Sequence, residues 1–193
     1  WVSAPKPRLR DDCYQRENLE ESTLTEVEPI FDAANILRCN NDILYLVSNT
    51  GNKLGAQWLQ NFLGSEYRVH ILENMYSHSH LDSTIALLRE GLCLLNPDRV
   101  NEDNIPEVLK SWDKIWCPEM VDIGHFPNYN HASVWTGINL LSLNENLVIC
   151  DENQIELHKE LYKHNIEVVP MKLRHSRTLG GSFHCSTLDI CRG

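Results

Sequence analysis

The chain has 193 residues, of which 42% are hydrophobic and 23% charged, and its formal net charge is -10. This composition fits a soluble globular domain with one sizeable core. No basic stripe interrupts the acidity, so nucleic acid is not an expected partner, and no apolar run approaches the roughly 18 residues that span a membrane.

Seven cysteines, at positions 13, 39, 93, 117, 150, 185 and 191, are dispersed without a CxxC pair. The odd count and wide spacing predict free thiols in a reducing, cytoplasmic setting rather than a disulfide framework. Structural zinc is not expected, because the close-spaced ligand pairs it needs are missing. Both ends read as cut: the chain begins without Met and stops soon after Cys185, so a targeting peptide would be lost from view.

The first 28 residues are polar, hold two prolines and read as a loop or linker with at most a short strand. From about 34 to 48, "ANILRCNNDILYLVS" reads as two strands about an Asn-Asn turn. "NTGNKLGAQWLQNFLG" supplies a cap, apolar residues at Leu54, Trp58, Leu59 and Phe62, and a stop at Gly64, which predicts a short helix. "YRVHILE" follows as a strand. A second unit repeats this order: a hairpin in "STIALLREGLCLLNP", a helix in "NIPEVLKSW" with Pro106 near its start, and a strand in "DKIWCP". In the third unit, "TGINLLSLNENLVICD" is the hairpin. "NQIELHKELYKHN" is a helix gathering Ile155, Leu157, Leu161 and Tyr162, and "IEVVPMKL" is a strand. "GSFHCSTLDI" would open a fourth. The unit starts lie about 50 residues apart, a period typical of repeated architectures. A radial α/β array, in which strand ends near the axis bring distant residues together, is the expected fold; a three-layer α/β sandwich is the alternative.

Four segments carry candidate chemistry. In "SHSHLDST", an extended backbone would place His78, His80 and Asp82 on one face; a carboxylate beside an imidazole orients it, whereas a solvent loop is the plainer reading. A metal held by His78 and His80 lacks an identifiable third ligand. Asp32, in "EPIFDAANILR", is either a functional carboxylate or a turn residue capping the hairpin. Arg99, in "LNPDR", could clamp a carboxylate or lie on the surface beside Asp98. Finally, Gly180-Gly181 allows a tight turn before His184 and Cys185. Cys39, Cys93, Cys117 and Cys150 fall in or at the end of apolar strands and read as packed thiols, whereas Cys185 lies on a polar loop, where a neighbouring cation would favour the nucleophilic thiolate.

In order along the chain, "FDAAN", "YRVHI", "SHLDST", "LLNPDR", "LGGSFHCSTLD" and "RG" resemble the pattern of the amidinotransferases, over nearly the whole sequence. That resemblance implies the pentein fold, a five-fold pseudosymmetric ring of ββαβ modules. This chain would be a single-domain fragment, residues 1–193, from the C-terminal part of a longer enzyme, with about three modules, the start of another and an incomplete ring. It also implies Cys185 as nucleophile, His80 as general acid and base, and Asp32 as its carboxylate partner. Asp82 matches a guanidinium-binding position; Arg99 and Ser133 match donor-binding positions. No metal or cofactor is implied. The expected partners are small molecules, an arginine donor and an amine acceptor, with a homodimer as a further option. The rivals are a guanidine hydrolase of the same fold and a non-catalytic interaction module. Asn35 departs from the usual "FDAAD", Ser77-His78-Ser79 replaces a bulkier Met-containing stretch of the glycine-using enzyme, and "DICRG" is less basic than "DVRRRG". These differences point towards a cyanobacterial-toxin type of acceptor.

Overall fold

The computed structural model describes residues 3–4, 6–15, 23–122, 133–173 and 179–188. Two compact units divide the chain, Trp1–Leu81 and Asp82–Gly193.

In the first unit, β1 (Ile36–Cys39) turns at Asn40-Asn41 into β2 (Asp42–Leu46), antiparallel, and α1 (Lys53–Leu63) carries the chain to β3 (Arg68–Leu72), which pairs parallel with β2. Asn40 takes a left-handed φ of 55°, which asparagine tolerates in tight turns. The middle strand is the most buried: Ile43, Leu44, Tyr45 and Leu46 are all inside, as expected for a strand with neighbours on both sides. Helix α1 starts where its sequence predicts. Asn52 Oδ1 accepts from Gly55 N (2.9 Å), and the two oxygens of Glu26 accept from Lys53 N and Leu54 N (3.0 and 2.8 Å), so three orphan amides of the first turn are satisfied. Its buried face is built on Gly55 and Ala56. A Cβ on Gly55 would lie 2.5 Å from Ile30 O and 2.6 Å from the Tyr45 hydroxyl, so the helix can approach the sheet only without a side chain there. Phe62, expected on the apolar face, is half exposed and stacks on Trp58 with centroids 5.3 Å apart. In the opening segment, Tyr14 bridges Leu24, and Cys13, Leu24 and Ile30 form a small core.

The second unit repeats the order twice. Strands β4 (Ile85–Arg89), β5 (Leu92–Leu95) and β6 (Asp113–Trp116) form one sheet; β7 (Leu141–Asn144), β8 (Leu147–Asp151) and β9 (Glu167–Met171) form another, with α2 (Ile155–Lys163) as the crossover. Each sheet pairs its first two strands antiparallel and its last two parallel. One hydrophobic core runs through both modules, from Leu88, Leu92, Leu94 and Ile115 to Val148, Leu157 and Leu161. Arg89, at the end of β4, donates to Glu145 O, Asn146 Oδ1 and His164 O, so the first sheet is tied to the hairpin turn and helix end of the second.

Two elements differ from expectation. Instead of a helix in "NIPEVLKSW" there is a single 3-10 turn, Glu107–Leu109. Asn101 Oδ1 accepts from Asp103 N and Asn104 N, Asn104 Oδ1 accepts from Asn101 N, and Pro106 is extended with ψ of 136°; local asparagine bonds win over helix nucleation. In α2, Leu157 and Leu161 are buried, but Ile155 and Tyr162 are exposed. Residues two apart in a helix sequence lie about 200° apart around its axis, so Ile155 cannot share the face of Leu157. Among the described residues, no helix is long and apolar enough to cross a membrane.

Candidate active site

The first unit brings Asp32 and His80 together across 48 positions of sequence. His80 Nε2 lies 3.0 Å from Asp32 Oδ2, and since a carboxylate only accepts, Nε2 is the donor. The other oxygen of Asp32 serves its own turn: Oδ1 accepts from Ala34 N (2.9 Å) and Asn35 N (3.2 Å) at the head of the 3-10 turn Ala33–Asn35. The capping reading of Asp32 therefore holds on Oδ1, while Oδ2 faces the imidazole of His80. Asn35 completes the reciprocal cap, its Oδ1 accepting from Asp32 N at 3.2 Å. The amide of Asn35 is fully buried and its Nδ2 donates to Leu46 O (3.2 Å) and Ser48 Oγ (3.0 Å). A carboxylate at 35 could not make those two donations, so the departure from "FDAAD" suits this environment. The rings of His78 and Tyr76 lie 5.6 Å apart between centroids and are tilted by 58°.

The second unit brings Asp82 and Cys185 together. The segment Leu81–Ser83 is a 3-10 turn, so the alternation of an extended strand does not apply to it. Asp82 is buried, and its Oδ2 accepts from Cys185 Sγ (3.2 Å) and from His184 Nδ1 (3.0 Å). The two donors are consecutive residues of the short turn His184–Ser186. Gly180, with φ of 86°, makes the tight turn before it, a conformation glycine adopts freely. Asn139 holds this turn in place. Its Oδ1 accepts from Cys185 N (3.1 Å), its backbone oxygen accepts from Phe183 N (3.1 Å), and its Nδ2 donates to Asp82 O (3.4 Å). Nothing in the sequence marked Asn139, since a single asparagine in "GINLL" has no periodicity.

Electrostatics sharpen the cluster. Burial by itself works against a charge on Asp82, but the hydrogen bond and charge of His184, with help from Asn139 and Cys185, outweigh it and hold the carboxyl below its ordinary value. The Cys185 thiol moves the other way: desolvation and the Asp82 charge push it up to about 11. Cys185 is nonetheless exposed as a residue, unlike Cys13, Cys39, Cys93, Cys117 and Cys150, which are buried. Cys191 lies outside the described residues.

Arg99 and Ser133 are built into adjoining loops of the same unit. Arg99 Nη1 donates to Ser83 O (3.2 Å), Ser83 Oγ (2.9 Å) and Thr84 Oγ1 (3.0 Å), directly after Asp82 in sequence. Asp98 accepts from Trp135 Nε1 at 2.9 Å. Ser133 caps the turn Val134–Ile138, its Oγ accepting from Trp135 N at 3.2 Å. The expected fourth module begins no strand among the described residues 179–188, and the "DICRG" ending lies outside the described residues from Asp189 onwards.

No protein-family model matches the chain. Curated and solved proteins do. An inosamine-phosphate amidinotransferase 1 of Streptomyces glaucescens is 54% identical over 192 residues, covering 100% of this chain and 55% of that protein. The structure of the inosamine-phosphate amidinotransferase StrB1 of Streptomyces griseus superposes with a TM-score of 0.95 at 53% identity, over 100% of this chain and 55% of the other. SxtG, an amidinotransferase of the saxitoxin pathway from Microseira wollei, gives 0.88 at 37% identity over 98% and 55%. A DDAH of Pseudomonas aeruginosa, at 18% identity and a TM-score of 0.59, shares the fold alone. The repeated two-antiparallel, one-parallel sheet modules are those of the pentein fold. The chain spans about half the length of the curated relatives it matches, and within that span it is similar to amidinotransferases from end to end.

Proposed function

We propose that the full-length protein containing this chain moves the amidino group of L-arginine to an acceptor amine. The observation that carries this reading is the contact between an exposed cysteine and a buried aspartate, Cys185 Sγ to Asp82 Oδ2 at 3.2 Å. With its thiol pushed up to about 11, Cys185 is a poor nucleophile at neutral pH beside the charged Asp82. A guanidinium seated on Asp82 cancels the carboxylate's field and favours the thiolate. The substrate's own charge thereby switches on its attacker.

In the proposed sequence, His80 takes the Cys185 proton and Sγ attacks the guanidinium carbon. The bond from that carbon to arginine Nε breaks as His80 returns the proton to Nε, and ornithine leaves. An amidino group remains on Sγ. The acceptor amine then attacks the same carbon, His80 takes its proton, the Sγ–C bond breaks to release the Cys185 thiolate, and His80 returns the proton to Sγ. Asp32 orients the His80 ring through Nε2. Acid–base help of this kind is worth about 10²–10⁴-fold. Arg99 and Ser133 would contact the donor. No step calls on a metal or organic cofactor.

For the acceptor, an amine of secondary metabolism is the proposal. Identity of 54% to an inosamine-phosphate enzyme against 37% to SxtG favours an inosamine-phosphate-like amine over a saxitoxin-pathway one. A cytoplasmic setting is part of the proposal and rests on the dispersed cysteine spacing of the sequence. The deciding experiment is mass spectrometry of the full-length protein after brief exposure to arginine, with ornithine and citrulline assayed in the presence and absence of amines. An amidino adduct on Cys185 and amine-dependent ornithine release are expected. Citrulline as the main product would replace transfer by hydrolysis, and an unmodified Cys185 would end the enzymatic reading.

A further inference from the structure

The proposed chemistry uses Asp82, Cys185, His80 and Asp32, yet another imidazole is committed to the same carboxylate. His184 Nδ1 and Cys185 Sγ reach one oxygen, Asp82 Oδ2, at 3.0 and 3.2 Å. The two donors differ in a decisive way. When Cys185 ionises it ceases to donate, and a sulfur anion then faces a carboxylate at the same distance. The His184 N–H is the donor that persists through that change. Its placement is also fixed: Asn139 O accepts from Phe183 N and His184 N (3.1 and 3.5 Å), so the turn bearing both donors is anchored on both sides of the imidazole.

We propose that His184 is a positioning residue: its Nδ1–H locks the Asp82 carboxylate in one orientation and keeps it a charged acceptor for the donor guanidinium while the neighbouring sulfur is an anion. This rests on the amidino-transfer reading above. Burial would otherwise drive Asp82 towards its neutral form, and His184 is the foremost group opposing that. The role is distinct from the proton exchange proposed for His80.

The test compares wild type, His184→Ala and His184→Asn in the full-length protein. Asparagine can present its Nδ2 donor near the position of histidine Nδ1. For H184A, the KM for arginine should rise and kcat/KM should fall roughly tenfold to a hundredfold, the worth of a hydrogen bond to a charged group. The acid limb of the kcat/KM–pH profile should move to higher pH, because Asp82 then protonates more easily. H184N should recover most of the KM and return the acid limb towards wild type. A merely structural residue would lower activity evenly across pH without moving that limb. Where H184A does not fold, His184→Gln carries the same prediction, with its amide one methylene too far out. If wild type forms the Cys185 adduct while the variants leave KM and the acid limb unchanged, the positioning role is wrong. If H184N shifts the limb as far as H184A, it is equally wrong. Absence of the adduct in wild type would overturn the amidino-transfer reading itself, a result the His184 variants cannot mimic.

Discussion

Cys185 donates its thiol hydrogen to Asp82 Oδ2 over 3.2 Å, although the two residues are 103 positions apart. The same carboxylate that would greet a cation therefore restrains the sulfur while no cation is present. Alkylation of Cys185 in the full-length protein, followed against pH, should show a midpoint near 11 without ligand. Asp82→Asn removes the negative charge and should lower that midpoint, leaving only the part caused by desolvation. A guanidinium ligand should lower it in wild type and fail to do so in D82N. A wild-type midpoint at the ordinary cysteine value of about 8.5 would contradict the restraint.

Asp32 divides its work between two oxygens, and substitutions can separate the two. Asp32→Asn retains a good capping oxygen for Ala34 N and Asn35 N but loses the charge facing His80. Turnover should drop by about 10²–10⁴-fold, if His80 depends on its partner, with little change in the denaturation midpoint. Asp32→Ala should show the same turnover loss and in addition lose about 1 kcal/mol of stability, the usual worth of a helix cap. Equal stability of the two variants would show that the cap contributes nothing.

Asp82 should also leave a mark on stability against pH. Its folded carboxyl is more acidic than in the unfolded chain, so its ionisation stabilises the fold above about pH 4. That contribution is lost as pH falls from there through the folded value. Urea unfolding of wild type and D82N across this acidic window should show a steeper acid decline in wild type. Parallel curves would rule out the shift.

Gly55 offers a test of packing away from the chemistry. Its ideal Cβ would stand 2.5 Å from a backbone oxygen, which cannot swing aside. Gly55→Ala should cost about 1–3 kcal/mol, as overpacking does, despite alanine's better helix propensity. A thermal midpoint equal to or above wild type would show that α1 shifts without penalty.

Much of this architecture could be read from the chain. Asn40-Asn41, Arg89-Glu90-Gly91 and Asn144-Glu145-Asn146 punctuate apolar runs, and each hairpin turns within them, with Arg89 and Asn144 as the last residues of their strands. Local chemistry alone fixes those turns. The crossover at Glu107–Leu109 could not be read the same way, because periodicity counts apolar residues while the outcome was decided by asparagine side chains bonding backbone amides. In the site, the sequence singled out Asp32, His80, Asp82 and Cys185 by residue type. It could not show that His184 and Cys185 converge on one oxygen, or that Asn139 braces their turn. Those are properties of three-dimensional closure, with no trace in spacing. The extended reading of "SHSHLDST" failed for a related reason: a 3-10 turn at Leu81–Ser83 replaces the alternation on which it relied.

Arg89 and the continuous core beneath it carry a mechanical corollary. Repeat proteins often come apart one module at a time, since each repeat leans mainly on its neighbours. Here the guanidinium of one module is lodged in the turn and helix end of the next, and both share one apolar interior. The amides of β5 and β8 should therefore surrender their protection from hydrogen exchange together, as a single opening event rather than two.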